Sequence, residues 1–450
     1  MPTDDSNTAV AATIGPIADI AVGSPSRRPS MRRRLRAALA ANSLYGNSAW
    51  LFLNTALLAA FGFVFWSISA RVFTTAQVGV ATGLIAAVNL ITSLALGGLE
   101  ISLIRFLPAS SRKQDLVNAS LTWTAGLAMV CGTGFIALQP LIAHRLGVVG
   151  RSPLIGVLFV VFCAVATASY IVESVLIAHR SSRDVLLKNA FSSLLKLPLP
   201  FVLVFAGAFG IFSAWMVSLC AAVLLALWLL NRRFRHRLAL KGRFPATPGL
   251  LAFSLSNYLA TLAEGLPDVV LPLIVLGLLG AVAAAHYYIA VMLASLLFAV
   301  SAAAGQALFA EGSYSPAQLI KHTRKALVFI LLLLVPGILA TVVIGPLVLG
   351  FFGAGYRSSA SGLLTILAVS AVLVAANDAL RAIHKVRLEN VVMFAASAVG
   401  SAVAIALCFP LSAYKLPGIG LAWFCGQLTT LFILAFPLVV SLRRVSGENT

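Results

Sequence analysis

Charged side chains are scarce in this chain of 450 residues: they make up 10% of it, and only 13 are acidic. Hydrophobic residues account for 60%, and the mean hydropathy is +1.00. So few polar groups cannot cover the surface of a soluble domain of this length. The composition excludes a soluble globular protein and predicts an integral membrane protein.

The sequence also lacks the motifs of common catalytic and metal sites. It contains no GxxxxGK(S/T), HExxH or GxSxG pattern, and its six histidines are scattered. The five cysteines stand singly in apolar stretches, as small core residues do: Cys131, Cys163, Cys220, Cys408 and Cys425. No segment outside the apolar stretches is long enough to fold as a catalytic domain. We therefore expect neither an enzyme nor a bound cofactor or metal.

What the chain has in abundance is long apolar runs bounded by Arg, Lys, Pro or Gly. A helix of about 20 apolar residues spans the hydrocarbon layer of a membrane. We predict twelve such spans, near residues 49–70, 78–99, 119–142, 153–177, 189–211, 212–231, 249–275, 283–304, 325–349, 361–380, 389–410 and 417–440. The runs do not alternate as membrane strands would. The predicted fold class is therefore an all-α polytopic membrane protein with about 12 transmembrane helices.

Basic residues are distributed unevenly between the two sides of these spans. If the N-terminus is cytoplasmic, cytoplasmic segments hold 26 Lys and Arg, the other side holds 5, and Lys196 alone lies within a span. This asymmetry follows the positive-inside rule and predicts that both termini are cytoplasmic. It also accounts for the net charge of +19 without a nucleic-acid partner.

The longest basic connector divides the spans into two sets of six. Because each set is even, both enter the membrane from the same side, and any repeat relation between them is parallel. The predicted organisation is a disordered basic tail (1–40), a six-helix lobe (41–231), a cytoplasmic connector (232–248), a second six-helix lobe (249–441) and a short tail (442–450). The first tail has no secretory signal pattern, and Met31 is an alternative start.

Two stretches resemble a known family. Residues Ser69–Pro108, SARVFTTAQVGVATGLIAAVNLITSLALGGLEISLIRFLP, are similar to the first two helices of the polysaccharide flippases in the multidrug/oligosaccharidyl-lipid/polysaccharide exporter superfamily. Residues Pro267–Ser313 are similar to its seventh and eighth helices, with an acid before a Leu/Gly-rich span and a Tyr-x-x-Ala element. The resemblance implies alternating access between two lobes in the bacterial plasma membrane. It also implies a lipid-linked oligosaccharide as substrate, with glycosyltransferases or a polymerase as partners.

The seventh span carries a polar stripe on one helix face. Its members, spaced by three or four residues, are Ser254, Asn257, Thr261, Glu264 and Asp268. Such a stripe facing lipid would be prohibitive, so it must face protein or water. The run 249–280 would measure about 48 Å as a helix against a core of about 30 Å, and Pro267 removes one backbone hydrogen bond. One interpretation is that the stripe lines a transport cavity coupled to H⁺ or Na⁺. The other is that its side chains form static hydrogen bonds between helices.

The first two spans offer further candidates for lining a transport cavity. These are Asn54 in the first span and Asn89, Ser93, Glu100 and Arg105 in or after the second. Glu100 has an alternative role in an ion pair with Arg105, and Asp378 one with Arg381.

Glu173 and Lys196 are predicted to form a buried ion pair. They lie at similar distances on either side of the loop around Asp184, so adjacent antiparallel helices place them at similar depth. A contact between Lys196 and a phosphate of the lipid carrier is the alternative.

The chain departs from the lipid II flippase subgroup, which carries arginines in its first helix. Here none lies between Arg36 and Arg71. A multidrug or metabolite cation antiporter of the same superfamily and a non-transporting scaffold of a polysaccharide-assembly complex remain the alternative functions.

Overall fold

The computed structural model describes residues 44–142, 146–147, 149–150, 152–240, 243–244, 249–314, 319–387 and 389–447. The predicted tail 1–40 lies outside this range, as does part of the connector. The helices are α1 Leu44–Val72, α2 Thr75–Leu96, α3 Leu99–Phe106, α4 Lys113–Ile142, α5 Pro153–Ala178, α6 Ser182–Leu195, α7 Leu199–Val202, α8 Gly207–Phe234, α9 Leu250–Leu279, α10 Ala281–Tyr314, α11 Leu319–Gly350, α12 Ala354–Val386, α13 Asn390–Leu411 and α14 Lys415–Gly447. Two short 3₁₀ turns, Val204–Ala206 and Ser412–Tyr414, connect helices.

The predicted all-α membrane fold is confirmed. Ten stretches of the described chain are long and apolar enough to span a membrane, and one of them, 390–438, contains α13 and most of α14. The apolar part of α11, residues 334–350, supplies the remaining segment. With α3 continuing α2 and α7 continuing α6, the described chain has an apolar helical segment for each of the twelve predicted spans.

Local sequence signals set the limits of α2. Its N-terminus is closed by a capping box, in which the Thr74 side chain accepts from the Gln77 backbone and the Gln77 side chain accepts from the Thr74 backbone. Its C-terminus meets Gly97 and Gly98, which have φ angles of 55° and 78°. Glycine adopts this left-handed conformation without steric cost, so the chain can turn and restart as α3.

The predicted boundary between the fifth and sixth spans, at residues 211 and 212, is wrong. The fifth span starts earlier, at Ser182, and the break lies at residues 196–206, between α6 and α8. Pro198 and Pro200 lack the amide hydrogens that would continue α6, and Gly207 has a φ angle of 56°. These residues override the continuous apolar pattern. By contrast, α9 remains one helix through Pro267 and Pro272.

The spans form two packed groups. Helices α1 to α8 pack mainly among themselves, and so do α9 to α14; α2 and α3 make the main contacts between the groups, with α9 and α10. We call the end of the bundle with the loops after α3, α5, α8 and α12 the basic end, and the other the opposite end.

The two groups approach closely near the opposite end. A Cβ atom added at Gly79 would lie 1.6 Å from the Ala281 carbonyl oxygen, so only glycine permits this approach of α2 to α10. The rings of Trp66 and Tyr288 pack with centroids 4.6 Å apart, and Arg71 Nε donates to the Phe351 carbonyl at 3.3 Å. These residues form the opposite-end contact.

A second contact lies near the basic end. The hydroxyls of Ser102 on α3 and Ser254 on α9 are 2.6 Å apart, and a Cβ at Gly98 would lie 2.4 Å from the Ser254 carbonyl oxygen. The rings of Phe106 and Phe253 meet edge to face at 5.6 Å. These residues form the basic-end contact.

Candidate functional site

A central cavity of about 350 Å³ lies between the two groups of helices. Residues of α2, α3, α5 and α9 line it: Asn89, Thr92, Ser93, Leu96, Glu100, Tyr170, Tyr258, Thr261, Leu262, Gly265, Asp268 and Val269. The polar stripes of the second and seventh spans therefore meet at one cavity. Its volume is near the lower end of small-molecule sites, which span roughly 300–1,000 Å³.

Two carboxylates border the central cavity, Glu100 on α3 and Asp268 on α9. Among the described residues, neither has a Lys, Arg or His nitrogen within 4 Å. One oxygen of Glu100 is buried, and no described residue hydrogen-bonds to it. Because no described lining residue is basic, the cavity is negatively charged whenever these groups are ionised, and it favours a cation or donors of hydrogen bonds.

The alternative pairing of Glu100 with Arg105 does not form. The Arg105 guanidinium carbon lies 4.3 Å from the centroid of the Phe253 ring, at the basic-end contact rather than in the central cavity. Residues five apart in a helix are separated by about 140° around its axis, so Glu100 and Arg105 point in different directions. Arg105 is thus corrected from a cavity candidate to a residue of the interface between the two helix groups.

Glu264 lies in a different environment from Asp268. Its Oε1 accepts from Arg381 Nη1 of α12 at 2.8 Å, so Glu264 has a basic partner although no Lys or Arg lies near it in the sequence. Arg381 also lies 3.6 Å from Asp378, as that alternative proposed, and donates to Ser397 at 3.4 Å. The sequence could not identify this partner, because Arg381 is 117 positions away from Glu264.

The Glu264 and Arg381 side chains also border a wider cavity. It has a volume of about 640 Å³ and lies among α9, α12, α13 and Ile101 of α3, with Lys385 in its lining. The central cavity and this one share Thr261. The seventh-span stripe thus borders two adjoining cavities.

The two remaining members of the seventh-span stripe are Ser254 and Asn257. Ser254 is 3% exposed and belongs to the basic-end contact instead of the central cavity. The side chain of Asn257 lies outside the described residues. Of the predicted cavity candidates, the structure brings together Asn89, Ser93, Glu100, Thr261 and Asp268.

Asn54 is buried within the first group of helices rather than in the central cavity. Its Oδ1 accepts from Asn189 Nδ2 of α6 at 2.9 Å. Next to this bond, Lys188 Nζ lies 2.8 Å from Glu173 Oε2 and donates to Ser169 Oγ at 3.0 Å. The side chains form a polar cluster that joins α1, α5 and α6.

The predicted ion pair between Glu173 and Lys196 is wrong. Glu173 pairs with Lys188, and the Lys196 ammonium lies 5.5 Å from the centroid of the Phe65 ring. The turn between α5 and α6 is at Arg180, whose φ angle is 56°, about four residues earlier than predicted. This shift brings Lys188 to the depth of Glu173. Asp184 lies within α6 as a result.

Sequence reasoning missed three polar residues of the central cavity: Thr92, Tyr170 and Tyr258. Tyr170 is 53% exposed, and the Tyr258 hydroxyl donates to the Leu94 carbonyl at 3.4 Å. Thr92 lies three residues after Asn89, on the same face of α2. The signal available for the tyrosines was a phenol hydroxyl within an otherwise apolar span. No group of three or more metal-binding side chains occurs among the residues that the structure describes.

The fold is similar to solved transporters. It aligns with the lipid II flippase MurJ in an inward closed conformation, with a TM-score of 0.66, 12% identity and coverage of 87% of each chain. An inward-facing multidrug resistance MATE family transporter of the MOP superfamily gives 0.64, with 14% identity over 86% of this chain and 95% of that chain. An outward-facing structure of a MATE family transporter gives 0.56, with 14% identity over 92% and 96%.

At the level of sequence, no curated protein matches the chain significantly. A family model described as polysaccharide biosynthesis protein matches residues 44–309, from the start of α1 into α10. This is more than half of the chain. The protein therefore belongs to the polysaccharide biosynthesis protein family, and it has a multi-pass membrane fold similar to those of the solved transporters.

Proposed function

We propose that the protein moves a lipid-linked oligosaccharide across the bacterial plasma membrane by alternating access, coupled to H⁺ or Na⁺. The observation that carries this proposal is the central cavity, which joins polar side chains of both helix groups. Family membership supports a role in polysaccharide biosynthesis. Glycosyltransferases and a polymerase of the same pathway are its expected partners.

The contacts on either side of the central cavity fit alternating access. The opposite-end contact, with Gly79 against Ala281, closes one side, and the basic-end contact, with Ser102 against Ser254, closes the other. Each contact brings a glycine against backbone, Gly98 at Ser254 and Gly79 at Ala281, with a pair of aromatic rings beside it. We expect the basic-end contact to separate for loading on the cytoplasmic side, and the opposite-end contact to separate for release.

Asp268 is the proposed coupling residue. It lines the central cavity, and a proton or Na⁺ there would change the charge that the two helix groups must accommodate when they move. Glu264 is the less suitable acid, because Arg381 already neutralises it. Glu100 is a second carboxylate available to the same cation.

A deletion strain complemented with variants tests the proposal. We expect lipid-linked oligosaccharide in the deletion strain to resist oxidation by an impermeant periodate reagent in spheroplasts, because it stays on the inner leaflet. The wild-type gene and Glu264→Gln restore its oxidation, whereas Asp268→Asn does not. Full restoration by Asp268→Asn would remove the coupling role, and oxidation unchanged by the deletion would remove the flippase function.

A cation antiporter is the second candidate, because the described lining of the central cavity is acidic and contains no basic residue. In that case the deletion strain becomes hypersensitive to cationic dyes while its oligosaccharide is oxidised normally. If the protein is a scaffold, polysaccharide assembly fails in the deletion strain, but Asp268→Asn restores it as well as the wild-type gene does.

A further inference from the structure

A groove of about 380 Å³ lies on the first helix group at the basic end, away from the central cavity. It is formed by the last turns of α8 and the chain that follows: Leu224, Leu227, Trp228, Asn231, His236, Arg237 and Leu238. Its apolar part is open to the surroundings, since Leu224 is 67% exposed and Trp228 50%. The transport proposal does not use this groove.

Hydrogen bonds hold the outer wall of the groove in place. Gln114 Nε2 on α4 donates to the Arg235 carbonyl at 3.0 Å, and Asn118 Nδ2 donates to the Arg237 carbonyl at 3.0 Å. The buried His236 ring bonds Asn118 Oδ1 through Nε2 at 3.1 Å. The chain after α8 is therefore held against α4, and Arg237 is exposed.

The charges at the groove are of one sign. The Arg232 guanidinium carbon lies 5.1 Å from the centroid of the Trp228 ring, and both Arg232 and Arg237 are exposed. Neighbouring Arg233 differs, because it bonds both oxygens of Asp184 at 2.6 and 2.7 Å. No acidic residue lines the groove within the described part of the chain.

We propose that this groove binds an anionic glycerophospholipid of the surrounding membrane leaflet. One acyl chain lies along Leu224, Leu227 and Trp228, and the phosphate contacts Arg232 and Arg237. Exposed tryptophan at the level of lipid headgroups, with arginines at the same height, is the combination that fits an amphiphilic anion. The complementarity of charge and the apolar floor both point to a lipid, whereas a free anion would use the arginines alone.

Native mass spectrometry of the purified full-length protein tests this site. The protein is titrated with phosphatidylglycerol, with phosphatidylcholine of the same acyl chains, and with inorganic phosphate. We expect phosphatidylglycerol to bind with the highest affinity. Arg232→Gln/Arg237→Gln should weaken the tightest binding event about 30-fold, because each arginine contributes roughly 1 kcal/mol to the binding free energy. Trp228→Ala is expected to weaken phosphatidylglycerol binding without changing the weak binding of phosphate.

The control is Lys113→Gln/Arg183→Gln, which removes two exposed positive charges from the same end but outside the groove. Its phosphatidylglycerol binding should match that of the wild type, and melting temperatures in lipid-free detergent show whether each variant is folded. Equal losses in both double variants would mean a diffuse charge effect and overturn the proposal. Equal affinity for phosphatidylcholine, or competition by phosphate at the same affinity, would also overturn it.

Discussion

Asp268 and Glu264 lie one helical turn apart on α9, yet their carboxylates lie in different environments. Asp268 lines the central cavity, and Glu264 is bound to Arg381. The sequence predicted the shared polar face correctly, because helical spacing alone determines it. It could not predict the division of roles, because the partner of Glu264 comes from α12 and only tertiary packing brings it near.

The polar cluster in the first helix group leads to a prediction about stability. Lys188 is 1% exposed and forms its ion pair with Glu173. Lys188→Met leaves the Glu173 carboxylate without this partner, and we expect a loss of about 2–4 kcal/mol of stability, less than for a fully buried pair. Thermal unfolding of the purified protein in detergent measures the change.

The matched variant is Glu173→Met/Lys188→Met, which removes both charges. We expect it to recover most of the stability lost in Lys188→Met, because neither member of this pair is then left as a charge without its partner. A double variant that is less stable than the single one would show that the hydrogen bonds to Ser169 and Asn189, rather than the charge pair, determine the stability.

At the scale of the helices, apolar length predicted the spans well and their ends less well. The break between α6 and α8 depends on two prolines and a left-handed glycine, whose effect an averaged hydropathy hides. The turn at Arg180 was misplaced for a related reason: Ser182 and Asp184 belong to α6 although they look like loop residues. That error of about four residues is what produced the wrong partner for Glu173.

The opposite-end contact is so close that one methyl group added at Gly79 should separate the two helices. In Gly79→Ala the new Cβ would lie 1.6 Å from the Ala281 carbonyl, so α2 and α10 must move apart. We expect the populations to shift toward a state open at the opposite end. Electron spin resonance distances between labels at Leu138 and Leu347, in a background without cysteine, measure this opening.

Gly62→Ala on α1 is the control for this substitution, since its Cβ would meet no atom within 4 Å. Its distance distribution should match that of the wild type. An unchanged distribution in Gly79→Ala would contradict the assignment of this contact as a barrier that opens.

The chain after α8 has an expected dependence on pH. Burial, and to a smaller extent His179, lower the pKa of His236 below its ordinary value. His236 therefore binds a proton less readily when the segment is docked against α4 than when the segment is released. Docking weakens as the pH falls below about 6.5. Hydrogen exchange of residues 235–240 should be faster at about pH 5.5 than at about pH 7.5, after correction for the intrinsic rates.

His236→Gln keeps an amide donor for Asn118 but cannot titrate. We expect its corrected exchange to be the same at both pH values. If the wild type and this variant respond equally, another group controls the docking of this segment.

For the whole molecule, composition and long apolar runs predicted the membrane fold, and the resemblance predicted the family. The fold class and the family each follow from the pattern of many residues, so a wrong interpretation of one residue does not change either prediction. The central cavity was only half predictable: the stripes on α2 and α9 are visible in the sequence, but Tyr170 on α5 enters through the packing of a third helix.

The asymmetry of basic residues gives a direct prediction of orientation. In a cysteine-free background, we expect Tyr414→Cys to react with a membrane-impermeant maleimide added to intact cells, and Ser111→Cys to react only after permeabilisation. Both sites lie in short connections, at opposite ends of the bundle. The reverse pattern would place the basic end outside and contradict the proposed direction of transport.

In the proposed mechanism, the central cavity carries a lipid-linked oligosaccharide under the control of Asp268. The most direct measurement is a flipping assay with purified protein in liposomes, following the exposure of a lipid-linked oligosaccharide to an impermeant oxidant under an imposed H⁺ or Na⁺ gradient. We expect wild type and Glu264→Gln to move the substrate and Asp268→Asn to lose at least about tenfold in rate, equivalent to about 1.4 kcal/mol. No movement by the wild type under either gradient, or equal rates for Asp268→Asn, would contradict the account.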